Sequence, residues 1–407
     1  MTGQVAGQMA AVPGTATPAG RLRRTAWQLG AALLGSAPDG NRVASPAGLL
    51  AGLAMLRAGA GSGTAAELDA VLGFPLQRRD EAVGALLAHW AGYEGDPACV
   101  AADRPPQRPV LHLANGIFAA SGLCIGQRFR DTLAAHFGCQ VLQVEPGTPA
   151  AQAAVAGWVR EHTGGRMGQA PLEQDAETAL SLLNVLTFAA AWAEPFDPAE
   201  DTCLFSLADG STVAVPLMCG LRTVRYAAGP GWRAVELPYT EGFLMRLVLP
   251  DRGRPVFAAA QLADIEARLA AGPAVLVALG MPSWEHRCSL DLMPVLAGLG
   301  LSETLGGHPD FDAIHEDAMI ASAAQAVSIT VAEAGTTAAA VTEIEMICGS
   351  LPAEPDAELV FDRPFQYQII HEATGMPLFL GVVMDPRSAD PCSVDPCSAD
   401  PCGDGPA

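Results

Sequence analysis

The run Glu333-Ala-Gly-Thr-Thr-Ala-Ala-Ala-Val-Thr342, with the residues just after it, constrains this chain more than any other stretch. Read in twos, it is a strand. Thr336, Ala338, Ala340, Thr342, Ile344, Met346 and Cys348 are small or apolar and share one face. Thr337, Ala339, Val341, Glu343, Glu345 and Ile347 share the other, and the charges of the segment sit there. That alternation suits a strand with one face buried and the other in water. Gly335 and the alanines have poor strand propensity, so nothing local holds the segment extended. Two readings are open, a mobile Ala-rich linker and a segment that changes between loop and strand.

The residues downstream favour the second. Phe361-Asp-Arg-Pro-Phe365, Gln366-Tyr-Gln-Ile-Ile370, Ala373-Thr-Gly375 and Leu378-Phe-Leu-Gly-Val-Val-Met-Asp-Pro386 read as strand, turn and strand. Together with the hinge they resemble the serpins, the serine protease inhibitor family. There, Glu-x-Gly-Thr-x-Ala-Ala-Ala-x-Thr precedes an exposed bait loop, and a Phe-x-x-Arg-Pro-Phe strand comes after it, one residue shorter here. Other stretches carry the likeness in family order. They include Asn41-Arg-Val-Ala-Ser-Pro46 before the helix Leu49 to Gly59, Thr64-Ala-Ala-Glu-Leu68 and Leu113-Ala-Asn-Gly-Ile-Phe118. Trp158-Val-Arg-Glu-His-Thr-Gly-Gly-Arg166, Asn184-Val-Leu-Thr-Phe188, Trp192 with Pro195-Phe196, and Val235-Glu-Leu-Pro-Tyr239 continue it. The likeness spans roughly residues 22 to 386. It implies an α+β serpin fold, with helices around a large central mixed β-sheet, further sheets, and a reactive-centre loop over about 333–360.

The chain has 407 residues, half of them hydrophobic, and nothing rich in Pro, Gly and Ser divides residues 22 to 386. One large domain is expected, after a leader over 1–21 and before a tail over 387–407. Helical periodicity dominates before residue 110 and near 150–166. Strand-like runs appear at 110–118, 184–190, 244–250, 275–281, 325–331 and 366–383. The tail repeats Asp-Pro-Cys three times, ending at Cys392, Cys397 and Cys402, and its Pro and Asp disfavour packing. The other seven cysteines, Cys99, Cys124, Cys139, Cys203, Cys219, Cys288 and Cys348, form no Cys-x-x-Cys pair and are expected as buried thiols in a reducing compartment. Residues 1–20 lack the apolar core of a signal peptide, so a soluble, cytoplasmic protein without a membrane partner is expected, with export by another route as the alternative; a monomer is also expected.

Charge narrows the function. The net charge is −21, there is no lysine, and the arginines are scattered. Nucleic-acid or heparin-type polyanion binding needs clustered cations, which this chain lacks. Without lysine there is no phosphate-loop Gly-Lys-Ser/Thr and no Schiff-base chemistry. No Gly-x-Ser-x-Gly elbow or His-Glu-x-x-His pair occurs. His308-Pro-Asp-Phe-Asp312 with His315-Glu-Asp317 is read as a polar surface loop rather than a metal site, and His112 and His371 as structural residues in strands. No catalytic residue, metal or cofactor is expected.

The resemblance then implies a suicide-substrate mechanism. A serine protease forms an acyl-enzyme with the loop, and the cleaved loop enters the central sheet as a new strand before deacylation. Its hinge residues would be Glu333, Gly335, Thr336, Ala338, Ala339, Ala340 and Thr342. Counting from Glu333, the family spacing puts the reactive bond at Gly349–Ser350, with Met346, Cys348 and Leu351 as alternatives. Small apolar baits suit elastase-like or subtilisin-like proteases. A trypsin-like target is disfavoured, because no Arg or Lys lies between Glu333 and Val360. Oxidation of Cys348 is a conceivable modulator. Gln325 stands where many serpins have His, Gly48 replaces a second Ser, and Ser45 is kept. The implied sheet-opening lock is therefore Ser45, Asn184 and Gln325, with Trp192 where insertion begins. The alternatives are a serpin-fold protein that binds, stores or chaperones without inhibiting, and a hydrolase.

Overall fold

The computed structural model describes residues 17–35, 40–73, 79–100, 105–169, 171, 178–197, 202–316, 318–336 and 354–387. Six helices come early: α1 (Pro18–Gly35), α2 (Pro46–Gly59), α3 (Ser62–Leu72), α4 (Arg79–Trp90), α5 (Gln127–His136) and α6 (Pro149–His162). Among them run β1 (Arg42–Ala44), β2 (Val110–Ala120) and β3 (Gln140–Val144). The rest is mostly strand. First come β4 (Leu180–Ala191), β5 (Thr202–Ser206), β6 (Thr212–Gly229), β7 (Trp232–Pro238) and β8 (Phe243–Pro250). After α7 (Ala259–Ala271) come β9 (Ala274–Pro282) and β10 (Trp284–Asp291). Beyond α8 (Met293–Gly298) lie β11 (Ile320–Ala332), β12 (Gly335–Thr336), β13 (Ala357–Val360), β14 (Phe365–His371) and β15 (Met376–Val383).

Two mixed sheets enclose the core. One has nine strands, ordered β1-β15-β14-β8-β7-β6-β9-β13 with β5 on β6; the other has six, ordered β10-β11-β12-β4-β2-β3. Between them lies α2, buried at nearly every position because its sequence, Pro-Ala-Gly-Leu-Leu-Ala-Gly-Leu-Ala-Met-Leu, is apolar all round. Ser45 starts it: its Oγ accepts the Gly48 amide at 3.0 Å, and Pro46 supplies a pre-set φ at the first turn.

All twelve residues of β4 are buried, so both of its faces are covered. Leu182, Leu186 and Phe188 face the main core. Leu183 and Val185 meet Val155, Val159 and Met167 in a second cluster that also holds Ala324 and Ala326 of β11. Helix α6 therefore lies over the junction of β4 and β11. Those two strands pair in parallel from Ile320↔Leu180 to Ser328↔Thr187 and part above it, where β12 sits between them.

The structure corrects several expectations. Helix α1 begins at Pro18, inside the stretch expected as leader, because Leu22, Ala26, Leu29 and Leu33 pack into the core. The expected loop over 333–360 is shorter at both ends: Gly335–Thr336 is in the six-stranded sheet, and Ala357–Val360 pairs in parallel with β9. Cys139 and Cys288 are buried, with burial pushing the Cys139 thiol up to about 12, but Cys124 and Cys219 are exposed and Cys203 is half-buried. The buried-thiol expectation fails for these three because Cys124 lies in the connection before α5, Cys203 on β5 at the margin of the sheet, and Cys219 on the solvent face of β6. Cys99 has no described side chain. Cys348 and the tail cysteines lie outside the described residues. Among the described residues no helix is long and apolar enough to cross a membrane.

Candidate functional site

The candidate site is the hinge and the sheet junction beneath it. Gly335 and Thr336 form a two-residue strand that pairs antiparallel with Val331–Ala332 on one side and Ala190–Ala191 on the other. Only glycine fits at 335. Its φ is +155°, and a Cβ there would overlap the Ala190 carbonyl oxygen and approach the Ala191 Cα to 2.8 Å. Thr336 is 0% exposed, and its Oγ1 lies 2.6 Å from the phenol oxygen of Tyr239. Burial holds that phenol far above its usual range, so it stays protonated and available for the bond.

Trp192 frames the same place. Its ring stacks on Tyr239 at 4.5 Å and 9°, and its Nε1 donates to the Ala332 carbonyl at 2.9 Å. The Trp192 amide donates to the Ala334 carbonyl at 3.0 Å, and the Phe196 amide to the Glu333 carbonyl at 2.8 Å. Backbone and aromatic contacts thus hold the chain from Ala332 to Thr336 at the top of the junction. Ala338, Ala339, Ala340, Thr342 and the bait candidates Met346, Cys348, Gly349, Ser350 and Leu351 lie outside the described residues.

Lower down, a buried polar chain crosses the junction. Gln325 of β11 accepts the Ser45 amide at 2.6 Å through Oε1. Its Nε2 donates to the Ser45 carbonyl at 2.9 Å and to Asn184 Oδ1 at 2.8 Å. Asn184 of β4 in turn donates to Asn115 Oδ1 at 2.9 Å. Gln325 is 0% exposed, and its carboxamide has two acceptors for its Nε2 and a donor for its Oε1, as a buried amide requires. Gly48 makes the arrangement possible: a Cβ there would come within 2.5 Å of the Asn184 carboxamide carbon. Ser45 takes part through its backbone, while its hydroxyl caps α2.

The structure thus brings Ser45, Asn184 and Gln325 together, and places Trp192 apart from them at the hinge, where strand insertion would begin. Tyr239 and Asn115 were missed as members of the site. Both stand in motifs that carry the family likeness, Val-Glu-Leu-Pro-Tyr and Leu-Ala-Asn-Gly-Ile-Phe, with Asn115 inside β2 and Tyr239 just past the end of β7; a polar group among apolar neighbours was the available signal. His308, Asp310, Asp312 and His315 lie in turns, where the Asp310 amide donates to Thr64 Oγ1 at 2.8 Å. Among the described residues no three His, Cys, Asp or Glu side chains are grouped to hold a metal.

Comparison with known proteins agrees with this architecture. Residues 21–386 match the family model described as serpin, serine protease inhibitor. Serpin-Z1A of Triticum aestivum is 28% identical over 376 residues, covering 85% of this chain and 90% of that protein. Plasminogen activator inhibitor 1 of Sus scrofa is 28% identical over 368 residues, covering 86% and 87%. Among solved structures, the thermophilic serpin Tengpin in its native state superposes with a TM-score of 0.78 at 19% identity, over 89% of this chain and 94% of that one. Thyroxine-binding globulin in complex with thyroxine gives 0.77 at 23% identity, over 91% and 99%. With its family match running from residue 21 to residue 386, the chain belongs to the serpin family.

Proposed function

We propose that the chain inhibits serine proteases as a suicide substrate, trapping the acyl-enzyme when its cleaved loop enters the sheet between β4 and β11. One observation carries this reading: β12 already occupies the top of that junction and sets a register. Thr336 pairs with Ala190 on β4 and with Val331 on β11, antiparallel to both. Each further loop residue therefore steps one residue back on each strand. Ala338 arrives between Phe188 and Ile329, Ala340 between Leu186 and Val327, and Thr342 between Asn184 and Gln325. Those positions face the main core, and the arriving side chains are small and uncharged. Thr342 would separate Asn184 from Gln325, so insertion breaks the polar chain at the junction and offers a hydroxyl in its place. Ser45, Asn184 and Gln325 then act as a lock, and Trp192 with Tyr239 as the seat of the hinge.

The bait bond in this reading is Gly349–Ser350, and the targets are elastase-like or subtilisin-like proteases. The test is incubation with such proteases, read on a denaturing gel with mass spectrometry of the released C-terminal peptide. A boiling-resistant band near the summed mass supports the reading. Cleavage within 346–353 with full protease activity and no such band overturns it. That second outcome favours a binding protein that does not inhibit. A cavity of about 440 Å³ between α7 and the nine-stranded sheet, lined by Arg225, Glu236, Leu244, Arg246, Glu266 and Glu372 among others, speaks for this alternative.

A further inference from the structure

His112 of β2 stands between two titratable partners. Its Nδ1 meets Oε1 of Glu94, and its Nε2 lies 2.8 Å from Nδ1 of His162, the last residue of α6. The two imidazoles stack at 5.1 Å and 14°, and Trp158 closes edge-on against His162 at 4.4 Å. The backbone at the same point is tied down as well, since Thr187 Oγ1 of β4 donates to the His162 carbonyl at 3.1 Å.

These contacts lie on one row of the six-stranded sheet. His112 is directly opposite Thr187 on β4, and Thr187 is directly opposite Ser328 on β11. A strand entering the junction passes between Thr187 and Ser328, and the register set by β12 brings Ala339 to that row. Among the described residues the Ser328 hydroxyl, buried there, has no partner. Helix α6 covers the same junction through Val155, Val159 and the nearby Met167, packed on Leu183, Val185, Ala324 and Ala326. Two strands cannot part beneath it while it keeps this footing.

Proton count decides whether the contact survives. The hydrogen-bond pattern assigns the Nδ1–H of His112 to the Glu94 carboxylate and the Nδ1–H of His162 to the Nε2 lone pair of His112. Only one hydrogen fits between the two facing nitrogens. A proton added to the outer Nε2 of His162 leaves the chain intact. A second, added to Nε2 of His112, sets two N–H groups and two positive charges against each other. The charged groups acting on His162 are His112, Glu94 and Glu161. Burial first and His112 next hold its protonation below the ordinary histidine range, against the pull of the two carboxylates.

We propose that Glu94, His112 and His162 form a proton-operated clasp, which when both imidazoles are charged releases the C-terminal turn of α6 and eases strand insertion between β4 and β11. Its consequence for trapping rests on the inhibitor reading; the release itself does not. Each unit by which the folded pKa lies below the unfolded one is worth a tenfold change in opening once pH falls below both.

Hydrogen exchange of the full chain, read by mass spectrometry and corrected for the intrinsic pH dependence, tests this without any protease. In the wild type, peptides covering residues 156–164 should lose protection at least tenfold between pH 7.5 and 5.0, while Phe365–His371 stays protected. His162→Gln keeps a hydrogen-bonding group facing His112 but carries no charge, so its protection should be flat over that range. An equal loss in both proteins, or no loss in the wild type, overturns the clasp. If the His162→Gln protein does not fold, as the Phe365–His371 peptides would show, His112→Gln is read by the same criterion. A chain that shows the clasp yet never traps a protease keeps this inference and refutes the inhibitor reading.

Discussion

Under the proposed trapping mechanism, replacing Thr336 by arginine should leave a chain that is cleaved as an ordinary substrate. Thr336 is fully buried, and its described neighbours, Tyr239, Ala190 and Val331, include no anion. An unpaired buried charge costs several kcal/mol after relaxation. Leaving the Tyr239 hydroxyl without its 2.6 Å partner adds about 1–3 kcal/mol. Together these favour expulsion of the hinge by about 5 kcal/mol, more than a thousandfold. Thr336→Val keeps the shape and loses only the hydroxyl, so its penalty is the term of about 1–3 kcal/mol alone, roughly 5- to 150-fold. The assay is the fraction of protease held covalently per inhibitor cleaved, measured for wild type, Val and Arg proteins against one elastase-like enzyme. That fraction should fall in this order and vanish for arginine. The thermal midpoint of the uncleaved Arg protein should stay near the wild type, since only the two residues of β12 leave the sheet. An arginine protein that still formed the boiling-resistant complex would refute the reasoning.

Three other perturbations have clear signs. Gly335→Ala places a methyl against Ala190 and Ala191 at positive φ, so the hinge should leave the sheet, and limited proteolysis near 333–340 should accelerate at least several-fold. Gln325→Ala leaves the Ser45 amide and carbonyl and Asn184 Oδ1 without their partner. It should lower the unfolding midpoint by several degrees and speed spontaneous loop insertion in the uncleaved chain, read as a form of altered native-gel mobility and raised heat resistance. Glu67 contributes an acid dependence of its own. Although desolvation opposes it, hydrogen bonds from the Glu303 and Thr304 amides and from the Ser302 and Thr304 hydroxyls hold its carboxyl at about 2. A lowered carboxylate pKa stabilises above the unfolded value near 4.5 and loses that contribution as pH falls toward 2. The stability gap between wild type and Glu67→Gln should therefore be full at pH 7 and close between pH 4.5 and 2 in denaturant titrations; a gap independent of pH would contradict the assignment.

The strands legible in the sequence were those with continuous apolar runs, such as β4, β8 and β11, where burial on both faces leaves little room for polar residues. The long β6 is harder to read because its alternation slips by one residue near Met218 and only Val215, Met218 and Val224 are buried, so its apolar face is sparse. The members of the polar junction were partly legible too. Gln325 and Asn184 are conspicuous in buried strands, but Asn115 of that polar chain and Tyr239 of the hinge stand inside motifs whose apolar neighbours mask them.

Residue order alone dictates that the segment after Glu333 alternates like a strand, that its inward face is small and uncharged, and that Gly335 opens it. Those are properties of residue type and spacing, and they survive any arrangement of the rest. That the first two residues of this strand are already seated emerges from the folded chain, since it depends on β4 and β11 parting above Thr187 and Ser328. The folded chain also decides which partners meet there, because Tyr239 and Thr336 are 97 residues apart and Gln325 and Ser45 are 280 apart. Pattern along a chain reports the face a residue presents; what waits opposite that face is a matter of packing between distant elements.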